Sequence, residues 1–246
     1  MTAMMPLRRH QLAYLTTRGW TVALNQGWDD VERDCLHHWA KGRLPLVVTR
    51  QAALAADADA AIALGLSAPA AWQRRRIALQ LPRSCIAWFD EFPDAHRVLR
   101  MLCPSSRSAV QKLLMALEQW EIRTRIYGSY GWQIVSGHEY LHRGSDLDLW
   151  MSVNGSFEAD AAAHLLHEVE LPRLRIDGEL MFLDGAAVAW REWLAWRAGG
   201  QARGLLVKRL DSVAVEESPT LCETDSPRAT VELAQHAPAA TLARAA

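Results

Sequence analysis

Two short segments constrain this chain more than anything else in it: Ile126-Tyr127-Gly128-Ser129, and Gly144-Ser145-Asp146-Leu147-Asp148-Leu149. The first ends in Gly-Ser at the start of a helical stretch. Such a turn offers backbone N–H groups and a hydroxyl to an anion, and the helix dipole points the same way. In the second, two aspartates alternate with leucines. On a strand both carboxylates leave the same face, roughly 7 Å apart, and they repel unless a divalent cation neutralises the pair. Each segment alone is ordinary: turns use Gly and Ser routinely, and a solvated strand end often places two aspartates outside. Their spacing is less ordinary. A phosphate cradle lies 17–19 residues ahead of a carboxylate pair, with one short helix between.

A third carboxylate follows in Arg175-Ile176-Asp177-Gly178-Glu179-Leu180. Asp177 falls on a predicted strand beside a glycine that allows close approach. Glu179 shares its face if the strand continues. Asp177 is preferred because apolar neighbours enclose it more closely; an exposed turn residue is the plain alternative.

The 246 residues exceed what one small core usually takes. Val31, Cys35 and Trp39 recur at helical spacing within a predicted helix over Asp29 to Lys41. Leu44 to Thr49 reads as β-structure, Ala52 to Leu64 as an Ala-rich helix, and Arg76 to Leu81 as a strand stopped by Pro82. Cys103-Pro104-Ser105-Ser106 punctuates the chain, and Ser105 or Ser106 is the expected cap of a helix running to about Trp120. Then follow a strand (Arg123 to Tyr127), a helix (Tyr130 to Ser136), a strand (Asp146 to Val153) and a helix (Glu158 to Val169). Two further strands (Leu174 to Asp177 and Glu179 to Leu183), a helix (Trp190 to Ala198) and a last strand (Leu205 to Leu210) complete the pattern. The fold class is α+β. A small α/β domain, residues 1–103, precedes a catalytic domain of mixed sheet and flanking helices, residues 104–211. Residues 212–246 carry no aromatic residue and are expected to be disordered.

Charge excludes one class of function. The 27 basic and 28 acidic residues leave a net charge of −1, without the basic surplus of a nucleic-acid binder. No run approaches the length of a membrane span, and the N-terminus has no apolar core of a signal peptide. The 4 cysteines show no CxxC pair, so a reduced cytoplasmic setting is expected.

The motifs Gly128-Ser129-x-x-Trp132-Gln133, Tyr140-Leu141, Gly144 to Leu149, Arg175-x-Asp177-Gly178-Glu179-Leu180 and Ala187-Val188-Ala189-Trp190-Arg191-Glu192 follow one another along the chain. The cradle and carboxylates share the layout of the nucleotidyltransferase superfamily. The full set resembles the phosphoribosyl-dephospho-CoA transferases of malonate decarboxylase, the holo-acyl-carrier-protein synthases of that enzyme. The resemblance is strongest from Tyr127 to Glu192, and Arg143 departs from it where a neutral turn residue is expected. It implies transfer of 2′-(5″-triphosphoribosyl)-3′-dephospho-CoA to a serine of the acyl-carrier subunit, with release of pyrophosphate. It implies magnesium, with manganese as the alternative, held by Asp146, Asp148 and Asp177. Gly128, Ser129 and Trp132 would then serve the phosphates and substrate. The rival readings are another metal-dependent nucleotidyltransferase, acting on a small molecule or a protein hydroxyl, and a non-catalytic nucleotide-binding partner.

Other candidates have plain alternatives. Arg191 reaches a phosphate or forms a structural salt bridge, and Lys208 touches a phosphate or is solvated. His138 and His142 flank Tyr140 without a third ligand for zinc. Arg74-Arg75-Arg76 is the densest basic run and a candidate dock for an acidic carrier, with Arg74 and Arg75 exposed and Arg76 inward; Arg173, Arg175, Arg191 and Arg197 come next.

Overall fold

The alternation that gives the aspartates their common face also builds the sheets. The computed structural model describes residues 7–52, 60–171, 174–199, 204–217, 219 and 221. It opens with strand β1 (Leu12–Leu15), helices α1 (Thr17–Leu24) and α2 (Asp30–Gly42), and strands β2 (Leu46–Val48), β3 (Ala61–Ser67), β4 (Arg76–Pro82) and β5 (Ile86–Asp90). These strands form an antiparallel sheet in the order β4-β3-β2-β1-β5. A capping box of Asp29 and Glu32 starts α2, satisfying N–H groups that the first turn leaves unpaired. Along β4, Ile77, Leu79 and Leu81 are buried while Arg76, Ala78 and Gln80 face out.

The second half contains α3 (Pro104–Gln119), β6 (Thr124–Ile126), α4 (Gly128–Ser136), β7 (Leu147–Ser152), α5 (Ser156–Glu168), β8 (Ile176–Met181), β9 (Ala187–Ala189), α6 (Trp190–Arg197), β10 (Leu205–Lys208) and β11 (Val213–Glu216). Its sheet runs β11-β10-β9-β8-β7-β6. Only β7 and β8 pair in parallel, joined by the α5 crossover; the other pairs are antiparallel. Leu147, Leu149 and Met151 of β7 are buried, which turns Asp148 to the opposite face.

Each half has its own apolar core, and α4 touches both. Tyr130 belongs to the core of the second half, with Leu149 and Leu180, whereas Trp132 packs into the first core with Leu66 and Phe92. The Tyr140 hydroxyl donates to the Ser67 carbonyl at 2.7 Å, and the Gln51 N–H donates to the Leu210 carbonyl at 2.8 Å. The helix that begins at Gly128 is therefore seated at the junction of the halves. Among the described residues no helix is long and apolar enough to cross a membrane.

Several expectations are corrected. The Ala-rich segment is not helical at its end: Ala61–Ser67 is a strand between β2 and β4, whose partners on both edges outweigh alanine's helix preference. Residues 53–59 of that predicted helix lie outside the described residues. Helix α3 is capped at Cys103, without a side-chain bond, and Pro104 takes the first turn where its missing N–H costs nothing; neither serine is the cap. The two strands predicted around Gly178 are one, β8. Order does not end at Ser212. β11 pairs with β10 over four residues, and Leu221 is buried in the second core, because an edge strand needs backbone partners more than apolar content. Residues 222–246 of the predicted tail lie outside the described residues.

Candidate active site

The site grows from the end of β6. The Tyr127 N–H donates to the Asp148 carbonyl at 3.0 Å, which fixes the start of α4 against β7. Gly128 then adopts φ +57, and a Cβ built on it would lie 1.8 Å from Asp148 Oδ2. The position requires glycine twice over, for its left-handed backbone and for the approach of the carboxylate.

Asp148 lies directly opposite Asp177 across the parallel β7–β8 pair. Gly178 allows that pairing: a Cβ there would meet the Leu149 carbonyl at 2.0 Å. Burial, then the charges of Asp177 and Asp146, push the Asp148 carboxyl up to about 6. Asp177 accepts from the Gly178 N–H at 2.9 Å. Asp146 sits just before β7 and is ion-paired with Arg175, whose guanidinium is also 3.7 Å from Asp177. Among the described residues no three His, Cys, Asp or Glu side chains lie together as a ready ligand set. The donor chemistry nevertheless fits a divalent cation, since crowding of like charges is part of what raises Asp148.

Glu179, one turn of the pleat further along β8, is buried and held by His10 Nε2 at 2.9 Å, Lys208 Nζ at 2.8 Å and Arg9 at 3.5 Å. Burial pushes its carboxyl up, but these donors and charges outweigh burial and hold it well below the usual carboxylate range. His10 also packs on Tyr127, ring centroids 4.6 Å apart. Burial raises the Tyr127 hydroxyl, as do the charges of Glu179, Asp148 and Asp177. The first half of the chain thus reaches into the carboxylate cluster through Arg9 and His10.

One cavity meets Asp148 at the start of α4, and another meets Asp146. The first, of about 510 Å³, is lined by Gly128, Ser129 and Asp148 together with His10, Arg74 and Arg76. The other, of about 500 Å³, is lined by Asp146, Arg175, Arg143 and Arg191. The structure therefore brings Gly128, Ser129, Asp148 and Asp177 together and links Asp146 to them through Arg175. Lys208 is partly exposed and its ammonium is paired with Glu179 at 2.8 Å. Arg191 donates to the Ile176 carbonyl at 2.8 Å and lies 4.1 Å above the Trp190 ring; among the described residues it forms no salt bridge, and it lines the second cavity. Trp132 is buried edge-on against Phe92 at 5.4 Å and contributes only a wall to the first cavity. His138 pairs with His38 at 2.9 Å, whereas His142 Nδ1 accepts from the Gly144 N–H at 3.1 Å.

Sequence reasoning missed Arg175 as a partner of the carboxylates, and the anchoring of Glu179. Arg175 was detectable, since it precedes Asp177 by two positions and so shares its side of the strand. The basic run is also rearranged. Arg75 pairs with Asp29 at 3.2 Å, and Arg76 is exposed rather than inward, because Ile77, not Arg76, begins the buried parity of β4. Arg173 lies outside the described residues.

A carboxylate pair facing a helix start across an arginine-lined cleft is equipment for an enzyme that transfers phosphorylated groups. Two family models match end to end: the phosphoribosyl-dephospho-CoA transferase MdcG N-terminal domain over residues 8–92, and the C-terminal domain of the same transferase over residues 93–219. The chain belongs to the phosphoribosyl-dephospho-CoA transferase family. It is 32% identical over 215 residues to the phosphoribosyl-dephospho-CoA transferase of Bradyrhizobium diazoefficiens, covering 85% of this chain and 90% of the relative. It is 32% identical to that of Xanthomonas campestris pv. campestris, covering 82% and 91%, and 30% identical to that of Pseudomonas syringae pv. tomato, covering 71% and 80%. No solved structure matches. The family and the transferase class read from the motifs are borne out.

Proposed function

We propose that this protein attaches the prosthetic group of malonate decarboxylase to its carrier. The serine hydroxyl of the acyl-carrier subunit attacks the α-phosphorus of 2′-(5″-triphosphoribosyl)-3′-dephospho-CoA. A phosphodiester forms, the bond to the β-phosphate oxygen breaks, and pyrophosphate leaves. The observation that carries this reading is the register of Asp148 against Asp177, with Gly128 closed onto Asp148 at the mouth of α4.

On this reading the second half is a nucleotidyltransferase-like domain. The start of α4 and the Ser129 hydroxyl receive the departing pyrophosphate. Asp177 helps take the proton of the attacking serine. Asp146, Asp148 and Asp177 would hold magnesium, which supplies neutralisation of the phosphate charge when bound. Arg175 holds Asp146 in place and shields its charge from Asp177. Free thiols at Cys35, Cys85 and Cys103 support a reduced, cytoplasmic setting. The test is pyrophosphate release measured with donor, carrier and magnesium, omitting each in turn. Release that needs both substrates is expected. Release with ATP and no carrier would favour a small-molecule nucleotidyltransferase instead.

A further inference from the structure

The loop ahead of β4 places two arginines in the wall of the cavity that Gly128 and Ser129 also line. Its backbone is unusual: Gln73 and Arg74 both have positive φ, 55 and 53, a conformation that non-glycine residues rarely adopt. Surrounding bonds hold it there. The Ala68 N–H donates to the Arg75 carbonyl at 2.8 Å, and Trp72 Nε1 donates to Asp34 of α2 at 2.7 Å. Arg75 is tied to Asp29. At the other end of the loop, Ser67 accepts the Tyr140 hydroxyl, which fastens the loop to the second half.

This scaffold leaves Arg74 and Arg76 exposed, and among the described residues neither has a carboxylate partner. Both line the same cavity as Gly128, Ser129 and Asp148. Two guanidinium groups in the wall of one cavity with the start of a helix offer donors to a polyanion, with fork geometry suited to phosphate oxygens. We infer that Arg74 and Arg76, supplied by the first half of the chain, bind the triphosphate of the donor and the pyrophosphate product, making the N-terminal domain part of the substrate site. This deepens the proposed function and rests on it for the identity of the donor. It also separates the basic run: Arg74 and Arg76 serve phosphate, and Arg75 serves the fold.

The test uses the full chain and inorganic tripolyphosphate as probe, titrated by calorimetry with magnesium present. Arg74→Ala and Arg76→Ala should each weaken tripolyphosphate binding roughly 10-fold, and the double variant more. Arg76→Lys should recover part of the loss. Arg18→Ala, at an exposed arginine of α1 that does not line the cavity, should bind the probe as the wild type does. In the transfer assay the KM for donor should rise while the KM for carrier stays. Unchanged tripolyphosphate binding in the double variant overturns the inference, as does a rise confined to the KM for carrier, which would make the run a carrier dock. Loss of probe binding in the arginine variants of a protein that modifies no carrier would uphold the phosphate site and refute the proposed reaction.

Discussion

Replacing Gly128 with alanine tests the heart of the site, because a single methyl group does two separable things there. The new Cβ would lie 1.8 Å from Oδ2, 2.7 Å from Cγ and 3.1 Å from Cβ of Asp148. Ordinary contact begins near 3.4 Å, so the carboxylate must retreat by about 1.5 Å. A misplacement of roughly 1 Å in a reacting constellation can cost about 100-fold in rate. The same methyl also places a non-glycine residue at φ +57, a conformational penalty of about 1–2 kcal/mol. Gly137, at φ +74 with nothing within 4 Å of its built Cβ, separates the two effects. Gly137→Ala should lose about the same stability in a denaturant titration yet keep its turnover. Gly128→Ala should lose at least roughly 100-fold in carrier modification at saturating substrates. Equal activities in the two variants would refute the argument that the turn positions Asp148.

Other expected outcomes rest on charge and burial. Asp146→Asn and Asp148→Asn should each lower carrier modification by roughly 10³-fold, measured as initial rates. Without metal, Asp148→Asn should raise the melting temperature at neutral pH by relieving a crowded carboxylate, whereas Asp146→Asn should not, because it removes the nearer ion-pair partner of Arg175. With its folded value raised to about 6 from 3.8, Asp148 stabilises the metal-free fold below the unfolded value, and that stability is lost as pH rises through the folded value. Melting scans should therefore show a decline from about pH 4 to 6 that Asp148→Asn removes. Glu179→Gln should cost about 3 kcal/mol in chemical denaturation, since Arg9 and Lys208 lose a buried counter-charge and His10 loses a carboxylate partner. Truncation after Asp211 removes β11 and Leu221; loss of the leucine alone is worth about 2 kcal/mol and should lower the melting temperature by roughly 4–8 °C.

The parts of the site that were legible lie close in sequence and obey a simple period. Asp146 and Asp148 could be read against Gly128 because one helix separates them, and Asp177 because α5 is a single crossover between adjacent strands. The stripe Val110, Leu113, Leu114 and Leu117 marked α3 for the same reason. What escaped the reading depends on distant pairing. His10 and Glu179 are 169 residues apart, and no local pattern announces their bond. Ala61–Ser67 looked helical because composition favours a helix, but its register with β2 and β4 is set across the sheet. Arg76 was within reach of a parity argument, since it shares its side of β4 with Ala78 and Gln80, both exposed. Its meeting with Ser129 in one cavity required the packing of one half of the chain on the other.

The reaction proposed for this chain moves a phosphoribosyl-dephospho-CoA group onto a carrier serine. Intact mass spectrometry of the apo carrier subunit, incubated with the full-length protein, magnesium and the triphosphoribosyl donor, tests it most directly. One added mass equal to the donor less pyrophosphate is expected, located on a single serine and absent when Asp148→Asn replaces the wild type. A carrier that stays at its apo mass with wild-type protein and intact donor would contradict it.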